Sequence, residues 1–298
     1  TKASNMAANN CDLLIAIGSR FSDRVISDPA KFAANSKILQ IDIDPAEINK
    51  NIRTYSSLVG DVKEILARLL PLLPARAADE WNTQVTEWKT ETPSAWDRDC
   101  KLHPKFIMET INSTLGDDTI ITTEVGQHQM WTAQFYPFMK PRTFLTSGGL
   151  GTMGYGTGAA IGAQTARPDT RVVHIAGDGS FRMNCNELAT ISHYNIPLII
   201  IVMNNGVLGM VRQWQNLFYS KRFSETTLDR GPDFVKLADA YGIRAFRAST
   251  SEEFTSAFAS AAAEQTPALI DCHIDMDEMV LPMVPAEKPI DQLLLDVE

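Results

Sequence analysis

Basic charge is scarce in this sequence. Across 298 residues, 27 lysines and arginines face 36 aspartates and glutamates, a net charge of −9. That balance excludes a nucleic-acid surface, which needs clustered cations against phosphate. A phosphorylated ligand stays open, because a divalent cation or exposed backbone N–H groups neutralise one locally. Long apolar runs are absent too: none approaches the ~18 residues of a membrane helix, so no membrane partner is expected. Cysteine is limited to Cys11, Cys100, Cys185 and Cys272, far apart and without metal-ligand spacing. They read as small buried residues of a reducing compartment, the cytoplasm for a bacterial source or an organelle otherwise. The opening "TKASNMAANN" is not a signal peptide. Beginning at Thr1 and directly in a helical pattern, it reads as an internal stretch of a longer chain.

What is present suffices for two ordinary domains. Residues 1–72 read as helix, strand, loop, strand, turn, helix. A buried strand, Leu13 to Ile17, ends at Gly18, and a second in "SKILQIDIDP" ends in acid. The following helix carries Val62, Ile65, Leu66, Leu69 and Leu70 on one face. Residues 73–101 read as a helical linker, with Trp81, Val85 and Trp88 at helical spacing. From 102 to 298, strands are expected at 119–123, 143–145, 171–176, 198–203, 244–246 and 268–273. Helices are expected between them at 104–115, 156–166, 186–194, 234–241 and 251–264. The fold class is α/β: a doubly wound, mostly parallel sheet preceded by a partial Rossmann-like α/β domain. Ligands of such sheets sit beyond the carboxyl ends of strands, here the loops after 123, 145, 176 and 203.

The stretch "RVVHIAGDGSF" stops an apolar strand at Asp178, held between Gly177 and Gly179. After 24 further residues the next strand, "PLIIIVM", delivers Asn204, Asn205, Gly206 and Val207. A right-handed crossover lays the two strands side by side. The Asp178 carboxylate, the Asn205 amide oxygen and a carbonyl exposed by the Gly206 turn then share one edge. Hard oxygens of this kind suit Mg²⁺, which completes its shell with water and substrate phosphate. The flanking glycines leave N–H groups open to phosphate oxygens. The bland reading is two Gly/Asn-rich turns after buried strands.

Three further stretches stand at the same edge. "TSGGLGTMGYG" contains a G-x-G-x-x-G at Gly149, Gly151 and Gly154, which supports a rival dinucleotide-binding turn with Asp178 as its ribose acid. The Gly-Asp-Gly and Asn-Asn turns count against that rival. Within the loop Met153 is core filler or a wedge against a bound heterocycle. "TTEVGQHQMW" places Gln127 and His128 where a diphosphate would lie; His103, His174, His193 and His273 read as structural. "GVLGMVRQWQNLFY" puts Met210, Val211, Trp214 and Phe218 in an apolar stripe, either core or a mobile wall beside a cofactor.

With these residues in hand, the chain resembles the catalytic subunits of acetolactate synthase (acetohydroxyacid synthase), a family of thiamine-diphosphate enzymes. The resemblance runs through "GSRFSDRV", "EVGQHQMW", "SGGLGTMGYG", "GDGSF" with "NN", "GMVRQWQ" and "VLPMVPAEKP". It implies a thiamine-diphosphate-binding fold over 102–298, after part of a central FAD-binding-type domain over 1–72. Asp178, Asn205 and the Val207 carbonyl would hold Mg²⁺. Gln127, His128, Gly179 and Ser180 would meet the diphosphate, with Gly151 and Met210 also at the cofactor. Met153 would bend the cofactor, and Trp214 would shape the pocket of the second 2-oxoacid. Gly18, Arg20, Asp23, Arg24, Val25, Asp42, Ile43, Gly60 and Asp61 match the family's flavin loops, though retention of FAD by a part-domain is open.

The implied reaction is condensation of pyruvate with pyruvate or 2-oxobutanoate, with loss of CO₂, in branched-chain amino-acid synthesis. A homodimer or tetramer and a possible regulatory subunit would accompany it. The family's N-terminal domain and its cofactor-protonating glutamate are not in this sequence, so the expected state of the chain alone is inactive. The alternatives are another thiamine-diphosphate carboligase, decarboxylase or oxidase, and a non-catalytic cofactor-binding module.

Overall fold

Strands β4 (Ile120–Thr123), β6 (Val172–Gly177), β7 (Ile199–Asn204) and β9 (Ala268–His273) are buried along almost their whole length. They lie inside a six-stranded, all-parallel sheet of order β5-β4-β6-β7-β9-β8, with β5 Phe144–Leu145 and β8 Arg244–Ala248 at its edges. The computed structural model that shows this describes residues 1–75, 77, 79–90, 102–285 and 288–295. The chain divides into two compact units, one of residues 1–95 and 281–298, the other of residues 96–280.

In the second unit, helices α5 (Pro104–Leu115), α6 (Gln127–Phe135) and α12 (Ser251–Ala262) bury Ile107, Ile111, Trp131, Phe254 and Phe258 against Ile121, Ile175, Ile201 and Ile270. On the opposite face α7 (Gly156–Ala166), α9 (Leu188–His193) and α11 (Phe234–Ala240) bury Ala160, Ile191 and Phe234 against Val172, Ile200 and Val202. Successive strand residues thus serve opposite cores, which is why the strands read as unbroken apolar runs. Local chemistry starts the helices. His103 Nδ1 accepts from Lys105 N ahead of Pro104 in α5, and the Thr250 hydroxyl accepts from Glu253 N in α12. The chain goes from β4 out to β5, then returns to lay β6 on β4's other side. A crevice opens at such a reversal, beyond the strands' carboxyl ends.

The expected elements of this unit are present with small shifts in their ends. Helix α6 was not expected, because its first turn is polar yet buried at Gln127 and His128. The expected helix 186–194 begins as a short 3₁₀ turn, Cys185–Glu187, and continues as α9.

The first unit holds α1 (Lys2–Asn10), β1 (Leu13–Ile17), α2 (Asp23–Ile26), β2 (Lys37–Asp42), β3 (Ser56–Val59), α3 (Val62–Leu69) and α4 (Glu80–Thr90). Its three strands are parallel in the order β1-β2-β3. Strand β1 is not the fully buried strand expected. Leu14 and Ala16 pack on Ile26, Phe32 and Ile38, whereas Leu13, Ile15 and Ile17 are each nearly half exposed on the other face. The apolar stripe of α3 likewise contains no buried residue.

Part of the expected linker is helix α4, where Trp81 and Trp88 meet edge to face at 5.7 Å and the helix packs on α1. The rest, 91–101 with Cys100, lies outside the described residues. Residues 281–298, expected with the second domain, group with the first unit. Ile290 joins its core, and Asn5 and Asn9 donate to the Ile290 carbonyl and Asp291 at 2.7 and 2.8 Å.

The two kinds of strand respond differently to truncation. Ile201→Ala, at a fully buried position, is expected to cost about 2–5 kcal/mol in urea unfolding of its unit. Ile15→Thr on the open face is expected to stay within about 0.5 kcal/mol.

Candidate functional site

Parallel pairing of β6 with β7 sets Gly177 opposite Met203, so both strands release their polar turns at one edge. The two turns touch. Burial pushes the Asp178 pKa up to about 6, against the Arg182 guanidinium and backbone N–H groups that include those of Gly179 and Gly206. The Gly206 N–H thus favours the ionised form of a carboxylate carried on the neighbouring strand's turn. A divalent cation would hold so buried a carboxylate ionised.

Asn205 Oδ1 accepts from Val207 N at 3.2 Å, turning the chain so that Val207 forms an antiparallel bridge with Thr227. That bridge uses the Gly206 carbonyl, bonded by Leu228 N at 2.7 Å, and Leu208 N, which donates to Thr226. The Val207 carbonyl is turned out of the pairing. Among the described residues, no three His, Cys, Asp or Glu side chains are grouped to hold a metal. A cation here would rest on one carboxylate, one amide oxygen and one backbone carbonyl, leaving positions for phosphate and water.

Around these oxygens lies a cavity of about 170 Å³ lined by Gln127, His128, Trp131, Met153, Asp178, Gly179, Ser180, Asn205, Val207 and Met210, among others. His128 is buried, and its Nε2 has no hydrogen-bond partner. Burial first, and the nearby His174 second, push its pKa down to about 3, so the ring is neutral. The Cε1–Nδ1 side of the ring lies against Gly126 and Gly177, where an added Cβ would come within 2.9 and 2.8 Å of it, so two glycines leave room for the ring at the cavity wall.

Gln127 lines the same cavity, yet its amide is committed elsewhere. Nε2 donates to Gln213 Oε1 and to the Glu278 carbonyl, each at 3.0 Å, and Oε1 accepts from Asn205 Nδ2 at 3.2 Å. Gly209 makes room for it: a Cβ there would sit 1.9 Å from Gln127 Oε1.

The rival dinucleotide turn fails on one residue that the sequence did not single out. Glu124, just after β4, is fully buried and accepts the N–H groups of Gly154, Gly156 and Thr157. Its carboxylate occupies the N-terminus of α7, where a dinucleotide's pyrophosphate would bind. Burial raises its pKa, and those N–H bonds oppose the rise. Gly156 permits the approach, since a Cβ there would lie 2.6 Å from the Glu124 backbone nitrogen and from His174. His174 itself bonds the Thr122 and Thr157 hydroxyls at 3.0 and 3.3 Å, a structural role as expected.

Helix α10 (Gly209–Phe218) follows the turn of Asn205 to Val207. Trp214 packs on Phe218 with tilted rings 4.9 Å apart and lines an open cavity of about 760 Å³ with Met210, Val211, Gln215, Tyr219 and Arg222. Met210 and Val211 line both cavities, so the two adjoin. Gly151 lines neither. Sequence reasoning also missed Trp131, whose indole donates to the Met279 carbonyl at 3.3 Å, and Gln213, which is 3% exposed.

In the first unit Gly18, Arg20, Asp23, Arg24 and Val25 follow β1, Asp42 and Ile43 end or follow β2, and Gly60 and Asp61 follow β3. All lie at one edge of that sheet. Asp42 accepts from Asp44 N, and Asp61 caps α3 through Lys63 and Glu64 N.

Glu124→Ala removes the acceptor of three buried N–H groups, each worth about 1–3 kcal/mol when left unmet. The expected outcome is a loss of several kcal/mol in urea unfolding of the second unit. Hydrogen exchange at Gly154, Gly156 and Thr157 should accelerate, with little change in the β7 amides.

Comparison with known proteins agrees with this geometry. The family model described as thiamine pyrophosphate enzyme, C-terminal TPP binding domain, matches residues 124–272, and the model of the central domain matches residues 1–69. A probable acetolactate synthase large subunit of Methanocaldococcus jannaschii is 49% identical over 295 residues, covering 96% of this chain and 50% of that protein. Acetolactate synthase large subunits of Corynebacterium glutamicum and Lactococcus lactis subsp. lactis are 46% and 41% identical, covering 94% and 98% of this chain. This chain spans about half the length of these relatives. It belongs to the thiamine pyrophosphate enzyme family.

Proposed function

We propose that this thiamine pyrophosphate enzyme chain binds the cofactor's diphosphate and Mg²⁺ for an acetolactate synthase-type condensation of two 2-oxoacids with release of CO₂. The observation that carries it is the contact of the turns after β6 and β7. Asp178 and Asn205 line one cavity, and the Gly206 N–H on the second turn favours the ionised Asp178 carboxylate of the first. Asp178, Asn205 Oδ1 and the Val207 carbonyl hold the cation. His128, Gly179 and Ser180 face the diphosphate. When bound, thiamine diphosphate supplies the electron sink for decarboxylation and carbon–carbon bond formation.

The chain's own residues bind, orient and exclude water. Met153, on the loop pinned by Glu124, lines the cavity. Trp131, Met203 and Met210 make its walls apolar. No side chain of the cavity is required as a general acid or base: the His128 ring is held neutral, and Asp178 is taken up by the metal.

The second 2-oxoacid enters the adjoining cavity, where Trp214 meets its side chain. The names of the relatives support this specificity, as does the apolar lining beside the cofactor cavity. A flavin at the loops after β1, β2 and β3 is a finer proposal, supported by their convergence on one sheet edge. A regulatory subunit and a homo-oligomer belong to the same proposal.

Titration calorimetry with thiamine diphosphate is the direct test. Binding should require Mg²⁺, and Asp178→Ala should weaken it by at least about 100-fold. Metal-independent binding would overturn the assignment. In the full-length enzyme, Trp214→Leu is expected to change the ratio of products from pyruvate and 2-oxobutanoate several-fold; an unchanged ratio removes Trp214 from the acceptor pocket.

A further inference from the structure

An asparagine offers a metal either its oxygen or its nitrogen end, and only the oxygen binds. The two ends of a side-chain amide are nearly equal in shape, so the hydrogen-bond partners decide which way it points. What turns Asn205 the right way is traceable through a buried relay whose origin is unambiguous, because it begins on backbone groups.

Gln213 of α10 accepts the Val280 N–H on Oε1 at 2.9 Å and donates Nε2 to the Val280 carbonyl at 3.0 Å. A backbone N–H can only donate and a carbonyl can only accept, so this pair fixes which end of Gln213 is which. Its Oε1 then faces Gln127 and takes Gln127 Nε2 at 3.0 Å; the Glu278 carbonyl takes the same Nε2 at 3.0 Å. Gln127 Oε1 is therefore turned to Asn205 and accepts its Nδ2 at 3.2 Å. That leaves Asn205 Oδ1 on the side of Val207 N and the cavity. Gln213 and Gln127 are 3% and 5% exposed, so water is not at hand to substitute for a missing partner.

We infer that Gln213 is a positioning residue for the cation. Acting through Gln127, it transmits a donor–acceptor polarity from the backbone at 278–280 to the metal-ligating oxygen of Asn205. The inference rests on the metal assignment made above. It adds to that assignment a residue with no contact to the metal turn's oxygens, one helical position from Trp214. It also links the segment 278–280 to cation affinity.

The test uses Mn²⁺ itself as the probe, with free ion counted by electron paramagnetic resonance in the presence of thiamine diphosphate. Gln213→Leu is expected to raise the Mn²⁺ Kd about tenfold, and Gln127→Leu at least as much. The double variant should be no worse than Gln127→Leu alone, within twofold, because one residue acts through the other.

Gln213→Glu, held as the neutral acid by its burial, keeps the acceptor toward Val280 N and Gln127 Nε2 and a donor toward the Val280 carbonyl. Below the pKa of that acid it should bind Mn²⁺ within about threefold of the wild type. An unchanged Kd in Gln213→Leu, additive losses in the double variant, or a Gln213→Glu as weak as the leucine variant overturns the relay and leaves the metal site standing. Should the wild type take up no Mn²⁺, the metal assignment fails and the relay fails with it. If Gln213→Leu does not fold, the decision falls to Gln127→Leu and Gln213→Glu under the same criteria.

Discussion

The register between β6 and β7 is the constraint on which the site depends. Val173 pairs with Ile199 and Gly177 with Met203, so both strands end at the same level. A one-residue slip would exchange the residues facing the two cores and separate the turns that meet at Asp178. Both strands are buried on both faces, between α5, α6 and α12 on one side and α7, α9 and α11 on the other. Apolar burial holds that register at roughly 25 cal/mol per Å². It also offsets the cost of keeping an aspartate, two histidines, a glutamate and two glutamines out of water around the strand ends.

Those buried polar groups fall into two sets. Glu124, His174, Gln127 and Gln213 have their partners within the protein, and each ties one segment to another. Glu124 fixes the loop of Met153 to β4. Gln213 fixes α10 to 278–280. The other set has bonding capacity left over: the Asp178 carboxylate and the Val207 carbonyl at the cavity, and the fully buried Nε2 of His128. The first set gives the site its shape, and the second meets the ligand. Rigidity of the first set is what allows the second to keep spare bonding capacity without collapse of the turns around it.

Legibility in the sequence followed the same division. Asp178 and Asn205 stand after unbroken apolar strands, and strand placement alone brings them together. His128 and Met153 were readable from their position after other strands. Glu124 carries a similar signal, an acid ending a buried strand, but its partners are backbone N–H groups 30 residues on. No side-chain pattern marks those.

Gln213 was hidden for the same reason, since its orientation comes from Val280 backbone. Helix α6 was missed because its buried face begins with glutamine and histidine, residues that periodicity counts as solvent-facing. Strand β1 was misjudged in the opposite direction. Its run Leu13–Ile17 is as apolar as β7, yet Leu13, Ile15 and Ile17 face outward in this chain. Periodicity reports what a strand is able to bury, not which partner is present to bury it.

In the proposed metal site, an amide rather than a second carboxylate at position 205 has a physical reason. A diphosphate is strongly anionic, and Asp178 already adds a buried negative charge beside it. A second carboxylate on the neighbouring turn would repel both, and Mg²⁺ alone would not neutralise all three. An amide oxygen is a hard ligand without net charge, so it completes the coordination without that repulsion. The same choice brings an ambiguity that a carboxylate lacks, because half of the amide is a donor and useless to a cation. Neutrality at the ligand therefore demands an orienting partner behind it, and that partner must itself be oriented. Here the chain of amides from Asn205 through Gln127 to Gln213 ends only where backbone polarity, which has no rotational choice, takes over at Val280.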